Sequence, residues 1–121
     1  MKYCWCTIQV RDLEKSLKFY QNILNLRLNR RFTSPDGSVI AFLSDGESAD
    51  VELIYSEKSV KYDGKGISLG FKVPDLEVAL AEVKAKGVDG IKGPFKVGGG
   101  TQFFYIKDPD GVDIQIVQPG F

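Results

Sequence analysis

The segment Val10-Arg11-Asp12-Leu13-Glu14 returns as Val73-Pro74-Asp75-Leu76-Glu77, 63 residues further along the chain. The same shift carries Leu17 onto Leu80, and Asp50-Val51-Glu52-Leu53-Ile54 onto Asp113-Ile114-Gln115-Ile116-Val117. One offset relates the start and the end of each half without a gap, so the chain reads as two copies of one unit. The unit sets the architecture, and the positions where the copies differ carry the question of function.

In the first copy, residues 4–10 alternate as a strand does, with Cys4, Cys6, Ile8 and Val10 on one face and Trp5, Thr7 and Gln9 on the other. Asp12 is placed to cap a helix, and Glu14 in its first turn suits the helix dipole. Leu13, Leu17, Tyr20 and Leu24 then recur at helical spacing and form a buried stripe. Strands are expected over 26–33, 38–43 and 51–55, with turns at Ser34-Pro35-Asp36-Gly37 and over 45–49. The unit is therefore βαβββ. The second copy follows the same order. Its first strand covers 67–73, with Leu69, Phe71 and Val73 opposed to Ser68, Gly70 and Lys72, and Asp75 caps its helix. Leu76, Leu80 and Val83 make the stripe and Gly87 ends it. A short strand over 88–91 precedes Gly98-Gly99-Gly100. A final hairpin pairs 101–106 with 112–117 around Asp108-Pro109-Asp110-Gly111. The three glycines lead into a strand rather than a helix, which argues against a phosphate cradle.

The expected organisation is one domain over residues 1–121: module 1 over about 1–56, a linker over about 57–66 and module 2 over about 67–121. With 121 residues, 43% of them apolar, the chain can bury a real core. Lys plus Arg and Asp plus Glu each total 16, and this balance removes the electrostatic footprint of a nucleic-acid binder. No apolar run is long enough to span a membrane and the first residues do not read as a signal peptide, so the expected location is cytoplasmic. Cys4 and Cys6, two apart on one strand face, fit disulfide geometry poorly and are expected as small core residues.

Two positions per unit face away from the helix on its first and last strands. They are Trp5 and Glu52 in the first copy, Ser68 and Gln115 in the second. With Ile8-Gln9-Val10-Arg11-Asp12-Leu13, Ser16-Leu17-Lys18-Phe19-Tyr20 and Lys107-Asp108-Pro109-Asp110-Gly111 in this order, the sequence resembles the vicinal oxygen chelate superfamily of glyoxalase I, bleomycin-resistance proteins, methylmalonyl-CoA epimerase and extradiol dioxygenases. The resemblance implies an α+β fold, two βαβββ modules forming an incomplete barrel around a cleft, commonly in a homodimer. It also implies four metal positions, typically His, Glu, His and Glu, that hold Zn, Ni, Mn or Fe.

Here those positions hold Trp5, Glu52, Ser68 and Gln115, and the chain has no histidine. One carboxylate, one amide and one hydroxyl make a poor site for a borderline divalent ion. The expectation from the sequence is therefore metal-free binding of a small aromatic or planar molecule, with no cofactor. Trp5, Thr7, Gln9, Glu52, Ser68, Lys72 and Gln115 are the expected ligand contacts. The alternative is a lactoylglutathione lyase-like lyase or epimerase, with a divalent metal and with Glu52 as the base that abstracts a proton α to a carbonyl. A second alternative is an interaction domain with a vestigial cleft. The partners expected are a small molecule and a second copy of the chain, with neither nucleic acid nor membrane.

Overall fold

The computed structural model describes residues 1–120 and divides into two compact units, with the division between Asp63 and Gly64. The first contains β1 (Trp5–Gln9), α1 (Leu13–Lys18), β2 (Arg27–Thr33), β3 (Val39–Ser44) and β4 (Asp50–Tyr55). The second contains β5 (Ser68–Lys72), α2 (Leu76–Ala85), β6 (Lys92–Lys96), β7 (Gln102–Lys107) and β8 (Asp113–Gln118). Each unit is one open four-stranded sheet, in the order β1-β4-β3-β2 or β5-β8-β7-β6, and each is βαβββ in an α+β fold. The first and last strands of each unit run parallel, because a helix connects β1 or β5 back to the same sheet; the other neighbours are antiparallel.

The repeat extends to the register. Trp5 pairs with Asp50 as Ser68 pairs with Asp113, and Phe42 pairs with Glu52 as Tyr105 pairs with Gln115. Both helices start as the sequence predicts. The Asp12 carboxylate accepts from Lys15 N at 3.1 Å and that of Asp75 from Val78 N at 3.2 Å, satisfying backbone donors that have no partner inside the helix. At the other end of α2, Gly87 takes φ +81°, and Val88 N reaches back to Val83 O at 3.2 Å.

The core lies between each helix and the near face of its sheet. Val10, Leu17, Tyr20, Ala41, Leu43 and Leu53 are buried in the first unit; Leu76, Val83, Phe104, Ile106 and Ile114 are buried in the second. The α1 stripe is buried at Leu13, Leu17 and Tyr20 but only half-buried at Leu24. Beyond Lys18 the helix widens into a π turn, Phe19–Ile23, which changes the spacing on which the stripe depends.

Two expectations fail locally. The strand placed over 88–91 is Lys92–Lys96 instead. Val88 is used in closing α2 and Gly90 sits at φ +68°, so the chain cannot extend until it has passed them. Cys4 is exposed and Cys6 half-buried, and both are free. β1 begins only at Trp5, which leaves Cys4 outside the packed face. Gly98–Gly100 form a kinked turn, with Gly99 at φ +82°, that leads into β7. Among the described residues no helix is long and apolar enough to cross a membrane.

Candidate functional site

The face of the first sheet that points away from α1 carries Trp5, Thr7, Phe42 and Glu52. Glu52, in the middle of β4, is paired on one side with Thr7 and on the other with Phe42. It is 8% exposed, and the Thr7 hydroxyl donates a hydrogen bond to its Oε1. A carboxylate at this depth needs such a donor, because burial without one costs several kcal/mol, roughly. Among the described residues no other group donates to it, which leaves its second oxygen free to take a proton. Trp5 is 47% exposed and meets the Phe42 ring edge-on, with 5.2 Å between centroids. Gln9 lies on the same strand face as Thr7, and its side-chain Oε1 is buried without a hydrogen-bond partner.

The second sheet answers each of these positions with a different residue. Gln115 stands where Glu52 does, and its neighbour on β5 is Gly70 in place of Thr7. With no hydroxyl on that side, Gln115 turns to its other neighbour, and its Nε2 donates to the Tyr105 hydroxyl at 3.4 Å. Ser68 and Lys72 lie exposed on β5. Ser68 opens onto a pocket of about 420 Å³ lined also by Ile67, Lys92, Phe95, Tyr105 and Asp113. Thus the first unit carries Trp5, Thr7 and Glu52 on one sheet face, and the second places Ser68 and Gln115 beside Tyr105.

Sequence reasoning missed Phe42, Tyr105, Arg30 and Lys92. Phe42 and Tyr105 keep the 63-residue offset and could have been found by extending the comparison to the third strand of each unit. Arg30 holds its guanidinium over the Phe32 and Phe42 rings, 5.0 and 4.9 Å from their centroids.

Tandem βαβββ modules with a polar position at the same point of each outer face define a class of fold whose known members work on small molecules. A family model described as Glyoxalase/Bleomycin resistance protein/Dioxygenase superfamily matches residues 2–116, and the chain belongs to that superfamily. The chain is 38% identical to a lactoylglutathione lyase of Haemophilus influenzae over 92% of this chain and 87% of that protein. It is 34% identical to a lactoylglutathione lyase of Neisseria meningitidis over 98% of this chain and 91% of that one. The crystal structure of glyoxalase I from Zea mays superposes with a TM-score of 0.83 at 29% identity. It is matched by 97% of this chain, which spans only 44% of the maize protein's length.

These relatives correct two expectations. Metal-free ligand capture is overturned as the leading function, because relatives over nearly the full length are named as lyases. The expectation of no cofactor falls with it, since lyases of this type are the members for which the resemblance implies a divalent metal. The sequence misled because it weighted three altered ligand positions over the similarity of the remaining chain. The residues of this chain nevertheless do not fit the four-ligand set. It has no histidine, and among the described residues no group of three or more His, Cys, Asp or Glu is gathered to hold an ion. Glu52 is the one carboxylate at the four positions, and the amide of Gln115 and the hydroxyl of Ser68 are weak, neutral donors.

Proposed function

We propose that the chain catalyses proton transfer of the lactoylglutathione lyase type, with Glu52 as the base. A 2-hydroxyacyl thioester of glutathione and the thiohemiacetal of the matching 2-oxoaldehyde are isomers. They interconvert through an enediolate when one proton moves between two neighbouring carbons and the hydroxyl proton passes from the oxygen of the first carbon to that of the second. The reaction needs a carboxylate that takes the proton from one carbon and returns it to the next. The observation that carries the proposal is the Glu52 carboxylate itself: buried, held by Thr7 through one oxygen and open at the other. Trp5, beside it, supplies an apolar wall that limits water. In the second unit Ser68, Lys72 and Gln115 are proposed ligand contacts, and Gln9 is a further one in the first. The proposed assembly is a homodimer and the proposed location the cytoplasm.

The test is thioester formation from glutathione and a three-carbon 2-oxoaldehyde, with the protein as purified and after addition of Zn, Ni, Mn or Fe(II). Glu52→Gln keeps the size of the side chain and removes the base. It is expected to lower kcat on the order of 10²–10⁴-fold with little change in the folded state. Absence of turnover by the unaltered protein under all of these conditions would refute the proposal, as would full activity in Glu52→Gln.

A further inference from the structure

The face of β1 that turns away from Thr7 begins with two thiols. Cys4 and Cys6 are the chain's two cysteines, and both are free, the first exposed and the second half-buried. β1 is an edge strand, so one flank of it is open. Side chains alternate along it, and Cys6 shares its face with the buried Ile8, opposite Trp5 and Thr7. Cys4 stands one residue before β1, but its backbone is already held. Asp50 N donates to Cys4 O at 3.0 Å and so continues the ladder to β4. The two thiols therefore project to one side at a fixed spacing. Tyr3 joins them: its hydroxyl hydrogen-bonds to Cys6 and is close enough to Cys4 to feel its charge.

Spacing decides what such a pair can do. Same-face positions on a strand lie about 6.5–7 Å apart. A disulfide needs Cβ atoms about 3.5–4.5 Å apart, and closing one here would pull Cys4 off its hydrogen bond with Asp50. An ion between the two sulfurs lengthens the bridge by one atom and one bond, which spans the gap with the backbone in place. The number of ligands then selects the ion. A closed zinc site takes four ligands, and an iron–sulfur cluster takes four thiolates. The chain has no third cysteine and no histidine, and among the described residues no three His, Cys, Asp or Glu are gathered to hold a metal. Cu(I) is soft, favours thiolate and is satisfied by two ligands in line.

We propose that Cys4 and Cys6 form a two-thiolate site for monovalent copper. Binding forms two Cu–S bonds and releases the two thiol protons to solvent, with no change in the oxidation state of copper or sulfur. The site is separate from the proposed base, since it uses the opposite face of β1 and a different class of ion from the divalent metal of the lyases.

The experiment titrates the reduced, full-length protein with Cu(I) in the absence of oxygen, against the chromogenic Cu(I) chelator bicinchoninate. One ion per chain is expected to leave the chelator, and excess Zn is expected not to displace it. The copper X-ray absorption edge of the loaded protein is expected to show two-coordination. Partners that merely orient a ligand are worth roughly 10–100-fold in metal affinity, so loss of a ligand itself in Cys4→Ser or Cys6→Ser is expected to cost at least the upper end of that range. No withdrawal of Cu(I), one ion per two chains, displacement by Zn, or undiminished affinity in either serine variant would overturn the site. Diamide oxidation of the metal-free protein checks the spacing. The single-chain mass is expected to keep both thiol hydrogens, and their loss within one chain would show that the pair closes a disulfide and would overturn the argument for an ion.

Discussion

The Thr7 hydroxyl has the sharpest consequence of any single group in this chain. It ties one oxygen of a carboxylate that is 8% exposed, and the other is the oxygen proposed to take the proton. Thr7→Val keeps the side-chain shape and deletes the donor, so Glu52 loses both its partner and its fixed orientation. The expected effect is a fall in kcat of about 10-fold, at a cost in stability of about 1–3 kcal/mol for the orphaned buried acceptor. Thr7→Ser restores the donor and is expected to recover most of the rate. Rate and urea unfolding measured on the same variants separate the two roles. If Thr7 holds the base, Thr7→Ser recovers the rate together with the stability. A rate equally slow in both variants would reduce Thr7 to a packing residue.

Strands and turns decide which of these side chains meet, and the sequence shows this unevenly. Elements in fixed register were legible. The offset between Val10 and Val73 carried β1, β4, β5 and β8, and with them Trp5, Glu52, Ser68 and Gln115. Of the edge strands β2 was legible in extent, but the pairing of β2 and β6 was not, because a bulge changes pairing without changing composition. This is why Arg30 and Lys92 were not matched, whereas β6 was placed too early because Val88 closes α2 and Gly90 takes a positive φ. The lyase reading stood only as the alternative for a different reason: three altered ligand positions were weighed above the similarity of the rest of the chain.

Turn chemistry, by contrast, is written in single residues. Asp108 is 5% exposed, and its Oδ1 accepts from Asp110 N at 2.8 Å and from Val112 N at 2.9 Å, closing the β7–β8 hairpin. Asp108→Ala would leave both backbone donors without this acceptor, and the expected loss in urea unfolding is about 2 kcal/mol. Asp108→Asn keeps an acceptor oxygen at the same place and is expected to lose less than half as much. Equal losses in the two variants would show that the charge matters, not the acceptor.

At the scale of the whole molecule, the two units have kept one register and diverged in what they present. One offers an acid tied by a threonine, the other an amide tied to a tyrosine and a pocket lined by Lys92. Both also leave large apolar side chains uncovered on their outer faces. Trp5 is 47% exposed, Phe32 40% and Phe95 46%. Isolated exposed apolar groups are ordinary, but aromatic residues grouped around a polar position mark a surface that is covered by a ligand or by another chain.

The proposed homodimer gives this a measurable form, because Trp5 is the chain's single tryptophan and its emission reports on that face alone. Light scattering is expected to give twice the chain mass of 13.4 kDa at micromolar concentration. On dilution, the mass should halve while Trp5 emission moves to the red as water reaches the indole. A fall in mass with unchanged emission would place the contact between copies away from Trp5. A single-chain mass at every concentration would refute the dimer and leave ligand alone to cover the aromatic face. Saturating S-methylglutathione should then produce the blue shift that the second copy does not.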